Sequence, residues 1–240
     1  MIKTKKGLRE SGLFFIEGKK FIDEIPADWE IVSMLYSESF ANKENISAKK
    51  GIEILRDSRF NQISGTKTPQ GIMAVCEKKT YGRERCFIKK DALLVFAEEI
   101  NDPGNLGTII RTARACGANG VFLSAGSADV YNPKVLRASA GSFFHVPVFE
   151  NENINDFAAD CIKNGVALVA AHANGRLYPH EIDLKKSAAL VFGNEARGLS
   201  EEAIKVADFS VKIPMPGGAE SLNVSAACAV FLYEAVRQRL

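Results

Sequence analysis

The spacing of apolar and polar positions changes character near residue 90. From there on, short apolar runs alternate with amphipathic stretches. ALLVFAEEI (92–100), GVFLS (120–124), VPVF (146–149), VALVAA (166–171), AALVFG (188–193) and FSVKIP (209–214) have the length and branching of strands. Between them NLGTIIRTARACG (105–117), NPKVLRASAG (132–141), INDFAADCIKNG (154–165) and SEEAIKVA (200–207) repeat apolar residues at helical spacing. Asn105 and Ser200 read as helix caps and Pro133 as a first-turn residue. The last stretch, 223–240, puts Val224, Ala227, Cys228, Phe231, Ala235 and Val236 on one helical face. Strands alternating with helices predict an α/β fold, a mainly parallel sheet with helices on both faces.

Before residue 78 the pattern differs. LFFI (13–16), EIVSMLY (30–36) and IMAVC (72–76) read as strands, a helix is expected near Lys49–Arg56, and SGTKTPQG (64–71) reads as a loop. These make a small α/β unit. The polar, basic segment CEKKTYGRERCFIKKD (76–91) separates the two patterns. The expected division is a domain over 1–77, a basic linker over 78–90, and a second domain over 91–240.

Composition narrows the class. Of 240 residues, 46% are hydrophobic and 25% charged, which excludes a disordered or fibrous chain. No apolar run approaches the roughly 18–20 residues that cross a membrane. Five cysteines without a C-x-x-C pair, and only three histidines, point away from disulfides and metal sites and toward a reducing cytoplasm. Residues 1–90 hold 18 Lys/Arg against 12 Asp/Glu, whereas 91–240 hold 13 against 17. The N-terminal part is therefore expected to meet something anionic.

Three segments carry candidate chemistry. NDPGNLGTIIRTARACG brings a Pro/Gly turn to a helix start, a place that suits anions. LVFGNEARGLSEE runs from a strand into a loop holding Glu195, and VKIPMPGGAESLNVSAAC packs Pro and Gly densely ahead of a Ser-Leu-Asn cap. There is neither a G-x-G-x-x-G nor a Walker motif. Taken singly, each segment suits a structural turn as well as a ligand wall. All three follow strands, so in a parallel sheet they share one edge.

Together NLGTIIRTARACG, VFGNEARGLS and IPMPGGAESLNVSAACAVFLYEAVRQR resemble the three ordered motifs of the SpoU/TrmH-type RNA ribose 2′-O-methyltransferases of the SPOUT superfamily. FFIEGKK and SGTKTPQGIMAV look like that family's N-terminal substrate-binding domain, a small ribosomal-protein-like RNA-binding fold. The resemblance implies Asn105 and Arg111 as a motif-one pair, Glu195 as the motif-two carboxylate, and Ser221 and Asn223 as the polar pair of motif three. It implies that Gly193, Ile213 and Leu222 hold S-adenosylmethionine, largely through backbone groups. It also implies a C-terminal trefoil knot and a homodimer with the site beside the interface. The general rule against knotted chains would have led to an ordinary doubly wound sheet.

The implied activity is methylation of a ribose 2′-hydroxyl in RNA, with ribosomal RNA of the large subunit favoured and no metal or membrane involved. In the family an arginine is often assigned as the base. A guanidinium stays protonated above a pKa of about 12, so Arg111 is better suited to clamping a phosphate or a developing alkoxide. Arg9 and Lys20 flank the FFIEGKK segment and are the first candidates for RNA phosphate contacts. A transfer-RNA methyltransferase and a non-catalytic RNA-binding protein of ribosome assembly are the alternative readings.

Overall fold

In LFFIE the alternation of side chains sets Phe14 against Trp29, ring centroids 6.0 Å apart. Leu13 and Phe15, on the opposite face, pack on a core of Leu35, Phe60, Met73 and Val75. The computed structural model describes residues 11–240. The chain divides into two units, Met1–Thr80 and Tyr81–Leu240. The N-terminal unit contains β1 (Leu13–Glu17), α1 (Lys19–Ile22), β2 (Ile31–Ser37), α2 (Glu38–Lys43), β3 (Ile52–Leu55), α3 (Asp57–Ile63) and β4 (Ile72–Glu77). Its sheet has the order β1-β4-β2-β3, with β4 antiparallel to both neighbours and β3 parallel to β2.

The helix expected near Lys49–Arg56 is instead a turn at Gly51 followed by β3, whose Ile52–Leu55 pair with Met34–Ser37. A local preference of Lys, Glu and Leu for helix yields there to strand pairing.

The second unit contains β5 (Leu93–Ala97), α4 (Pro103–Ala115), β6 (Gly120–Ser124), α5 (Pro133–Ala138), β7 (Val148–Glu152), α6 (Ile154–Lys163), β8 (Ala167–Ala171), β9 (Ala188–Phe192), α7 (Glu201–Val206), β10 (Phe209–Val211) and α8 (Val224–Arg239). All five strand pairings in the order β10-β8-β9-β5-β6-β7 are parallel. β5 and β9, at the centre, are apolar throughout and fully buried, as a sheet covered on both faces requires. One face carries Leu94, Phe96, Phe122 and Val191 against Phe157 and Cys161 of α6 and Ala203 of α7. On the other face Phe231 of α8 meets Phe192 edge-on at 5.7 Å, and α8 packs against α4.

The segment read as a linker, 78–90, does not run free. From Tyr81 it belongs to the second unit, where Cys86 and Phe87 are buried in the core and Arg83 pairs with Glu152 and Asp160 at 3.2 and 2.9 Å. This boundary moves the charge. Residues 1–80 carry 14 Lys/Arg and 11 Asp/Glu, or +3, and 81–240 carry 17 and 18, or −1. The described part of the first unit, 11–80, is balanced at ten of each.

Candidate active site

The loops after β5, β9 and β10 leave the carboxyl ends of parallel strands and so meet at one edge of the sheet. In the first, Asp102 caps α4, its Oδ1 accepting from the Asn105 backbone N–H at 2.9 Å, with Pro103 in the first turn. The cap is therefore Asp102 and not Asn105, whose own side chain is left for other work. The second oxygen of Asp102 receives Lys134 Nζ at 3.3 Å. The Asn105 amide holds the Asp102 carboxyl below the usual carboxylate range; burial opposes this and Lys134 adds to it.

The second loop doubles back on itself. Buried Asn194 donates from Nδ2 to the Glu99 carbonyl at 2.8 Å, and its Oδ1 accepts from the N–H groups of Ala196 and Arg197 at 2.9 and 3.1 Å. A Cβ on Gly193 would lie 2.3 Å from both Gly198 C and Leu199 N, so only glycine permits this return. Arg197 pairs with Glu99.

In the third loop Asn223 caps α8. Its Oδ1 accepts from the N–H groups of Ser225 and Ala226 at 2.9 and 3.4 Å and from Ser225 Oγ at 2.6 Å. That commitment fixes the other side chains in turn. With Oδ1 engaged on the helix, Nδ2 of Asn223 donates to Asn105 Oδ1 at 2.9 Å. Asn105 must then turn its own Nδ2 outward, and it donates to Glu195 Oε1 at 3.0 Å. The Asp102 N–H approaches the same oxygen at 3.4 Å. Burial pushes the Glu195 carboxyl up, but hydrogen bonds from Asn105 and from backbone N–H groups outweigh it, and the net shift is downward. The result is a directed chain of amides, anchored on a helix end and terminating on an ionised carboxylate.

Beside this chain lies a cavity of about 350 Å³, within the usual size of small-molecule sites. Gly193, Ile213 and Leu222 line it, as do Ser221 and Glu195. Phe192, Val211 and Phe231 provide apolar wall, and Lys212 and Glu220 bring opposite charges. Three of the expected catalytic residues, Asn105, Glu195 and Asn223, are thus in contact, and Ser221 lies at the cavity. Arg111 does not join them. It is exposed on α4, six residues and about 120° around the helix from Asn105, and has no hydrogen-bond or ion-pair partner among the described residues. Lys20 is exposed on α1, and Arg9 lies outside the described residues. Sequence reasoning missed Asp102 and Asn194. The Asp-Pro pair before a helix was the available signal for the first, being the usual order of cap and first-turn residue.

Comparison with known proteins gives concordant matches. The SpoU rRNA Methylase family matches residues 92–233, and an MRM3-like substrate binding domain matches residues 1–74. The chain is 35% identical to the 23S rRNA (guanosine(2553)-2′-O)-methyltransferase RlmP of Bacillus subtilis, covering 97% of this chain and 92% of that protein. Its fold is similar to that of the SpoU methyltransferase AviRb from Streptomyces viridochromogenes in complex with AdoMet, with TM-score 0.86 and 29% identity over 99% and 94% of the two chains. An AdoMet-bound rRNA methyltransferase from Sinorhizobium meliloti gives TM-score 0.82 and 31% identity over 100% and 92%. With matches spanning both units and the three motif loops meeting at one sheet edge, the chain belongs to the SpoU rRNA methylase family.

Proposed function

We propose that this protein transfers a methyl group from S-adenosylmethionine to a ribose 2′-hydroxyl of large-subunit ribosomal RNA. The observation that carries the proposal is the Asn223–Asn105–Glu195 chain beside a cavity built by the same loops. The cavity suits the cofactor: apolar wall for an adenosyl group, close-passing backbone at Gly193, and Lys212 and Glu220 for an amino-acid end carrying both charges. Gly193, Ile213 and Leu222 would hold it, with Ser221 at the rim. When bound, it supplies a methyl group already activated on a sulfonium.

The protein's own tasks are then to orient the hydroxyl and manage its proton. Glu195, ionised and held by Asn105, accepts a hydrogen bond from the ribose. Its lowered pKa makes it an orienting acceptor rather than a strong base at neutral pH. The guanidinium of Arg111, exposed and without a partner among the described residues, clamps a flanking phosphate or the alkoxide as it forms. Arg9 and Lys20 contribute phosphate contacts from the N-terminal unit.

The same reading carries a cytoplasmic place of action, the trefoil knot and a homodimer. Support for the dimer comes from Val230 and Tyr233, which leave α8 with an exposed apolar strip at 41% and 65% exposure. Light scattering that finds only monomer at micromolar concentration would reject the dimer. The activity itself is tested by mapping 2′-O-methyl groups on 23S rRNA from cells with and without the gene. One nucleotide should lose its methyl group and regain it with the wild-type protein, but not with Asn105→Ala. An unchanged 23S map would reject the substrate.

A further inference from the structure

FFIEGKK and SGTKTPQG, distant in sequence, are stitched into a single edge of the N-terminal sheet. Glu17 ends β1 and turns its carboxylate onto the loop before β4. Its Oε1 accepts from Ser64 Oγ at 2.6 Å and Thr66 Oγ1 at 2.7 Å, and its Oε2 accepts from the Gly65 N–H at 2.9 Å. Gln70 closes the other side, its Oε1 accepting from the Lys19 N–H at 3.1 Å, while the Gly18 N–H donates to the Ile72 carbonyl at 3.1 Å. Gly18 sits at φ +100°, a conformation that L-residues rarely adopt, so the turn is built around a glycine.

This stitching has an electrostatic result. Lys19, Lys20 and Lys67 are exposed along the edge, and none has a carboxylate partner among the described residues. Glu17, the acid within these stretches, is occupied by three donors of the loop itself. Residues 11–80 are neutral overall, so the charge here is local. Neither 18–20 nor 64–70 contains a large apolar residue. A protein interface would need such anchors at its centre, whereas a phosphate backbone needs fixed cations.

We infer that the Glu17-latched edge is a phosphate-binding surface for RNA, with Lys19, Lys20 and Lys67 as its cations and Glu17 as a positioning residue. It rests on the reading that RNA is the substrate and specifies where the N-terminal unit grips it. Holding Lys67 on the latched loop and Lys19 and Lys20 on the short helix tied to it through Gln70 lowers the ordering cost of binding.

The test uses the full-length protein and a 23S rRNA transcript, with binding measured across a potassium chloride series. K19A/K20A/K67A should flatten the slope of log affinity against log salt by roughly two to three, one counterion per lost contact. Its KM for RNA should rise at least about tenfold, with kcat at saturating RNA and S-adenosylmethionine affinity unchanged. E17Q keeps all three lysines but loses an acceptor for Gly65. It should raise KM about threefold to tenfold, the loss expected for one hydrogen bond, with kcat unchanged and faster amide exchange at 64–67.

A wild-type salt slope in the triple variant overturns the surface. A fall in kcat or cofactor affinity equal to the KM change in E17Q overturns the positioning role. The two proposals fail separately. Salt-dependent RNA binding lost in the triple variant, without methyl transfer by the wild type, supports the surface and defeats the substrate reading. Methyl transfer with an unaltered slope in the triple variant does the reverse.

Discussion

Asn223→Asp separates the two tasks of one side chain. Asn223 caps α8 through Oδ1 and directs Asn105 through Nδ2. Removing both functions with Asn223→Ala forfeits the cap, about 1 kcal/mol, and should lower the midpoint by about 2–4 °C for a unit of this size. Asn223→Asp keeps an oxygen for the Ser225 and Ala226 N–H groups, and its charge suits a helix N-terminus, so stability should stay near wild type. The donor to Asn105 is gone, however. If Asn105 keeps its orientation, its Oδ1 faces the new carboxylate. If it turns over, its Oδ1 faces Glu195. Either way the oriented site holds one acceptor–acceptor contact, which the exposed side chains at 195 and 223 relieve at rest by turning to water, so stability is spared and recovering the orientation costs about 1–3 kcal/mol. That corresponds to about 10- to 100-fold in kcat. Cofactor affinity should change less than about threefold, because Asn223 does not line the cavity. Two carboxylates on one amide also favour proton uptake, so the deficit should narrow as pH falls. Thermal scans, single-turnover methyl transfer and calorimetry read the three quantities. Wild-type turnover in Asn223→Asp would refute the directed chain, and destabilisation equal to Asn223→Ala would refute the cap.

Arg111→Lys should lower kcat by about 10²–10³ while leaving cofactor affinity within about threefold, because lysine lacks the planar fork; near wild-type turnover would reject the clamp. Gly193→Ala places a Cβ 2.3 Å from the returning Gly198–Leu199 backbone, so the loop must open and calorimetry should detect no cofactor binding; retained binding would contradict the loop geometry. Hydrogen bonds from Arg237 bring the Glu234 carboxyl down from near 4.5 to about 2, against burial and with help from Gln238. Because the folded value is depressed, this stabilisation is present above about pH 4.5 and fades as pH falls toward 2. Glu234→Gln should then cost about 1 kcal/mol at pH 7 and little near pH 2, and a pH-independent gap in urea titrations would refute it.

The second unit was largely legible because its signals were redundant. Apolar runs bounded by Asn, Ser, Pro and Gly mark both ends of most elements, and Ser200 and Asn223 cap the helices that the pattern assigned to them. Errors fell where the signal was short or local. Ile52-Glu-Ile-Leu55 fits a two-residue and a helical period equally over four positions, and pairing with β2 decides. Arg83, Arg85 and Lys89 make 78–90 look like a solvated connection, whereas Cys86 and Phe87 bind it to the core. Asn105, expected to serve both as a site residue and as a cap, is not the cap, because Asp, Pro and Asn all favour helix starts and only geometry ranks them. The contacts among Asn105, Glu195 and Asn223 could not be read from spacing, since they span separations of 90 and 118 residues.

The central pairing of β5 with β9 also dictates a timetable. These neighbours are about 95 positions apart, which at 5–20 residues per second means about 5–20 s of synthesis between them. Throughout that interval Leu93–Ala97, wholly interior in the finished molecule, offers one unpaired strand edge to its surroundings. Glu195 follows β9 immediately, and Asn223 later still. A nascent chain thus acquires its sheet centre and the Glu195 carboxylate almost together, and the amides that reach it from Asn223 only when the last helix docks. Premature termination anywhere between β5 and β9 should produce a sticky fragment rather than a slow enzyme, and demand for chaperones should peak before residue 188 is made.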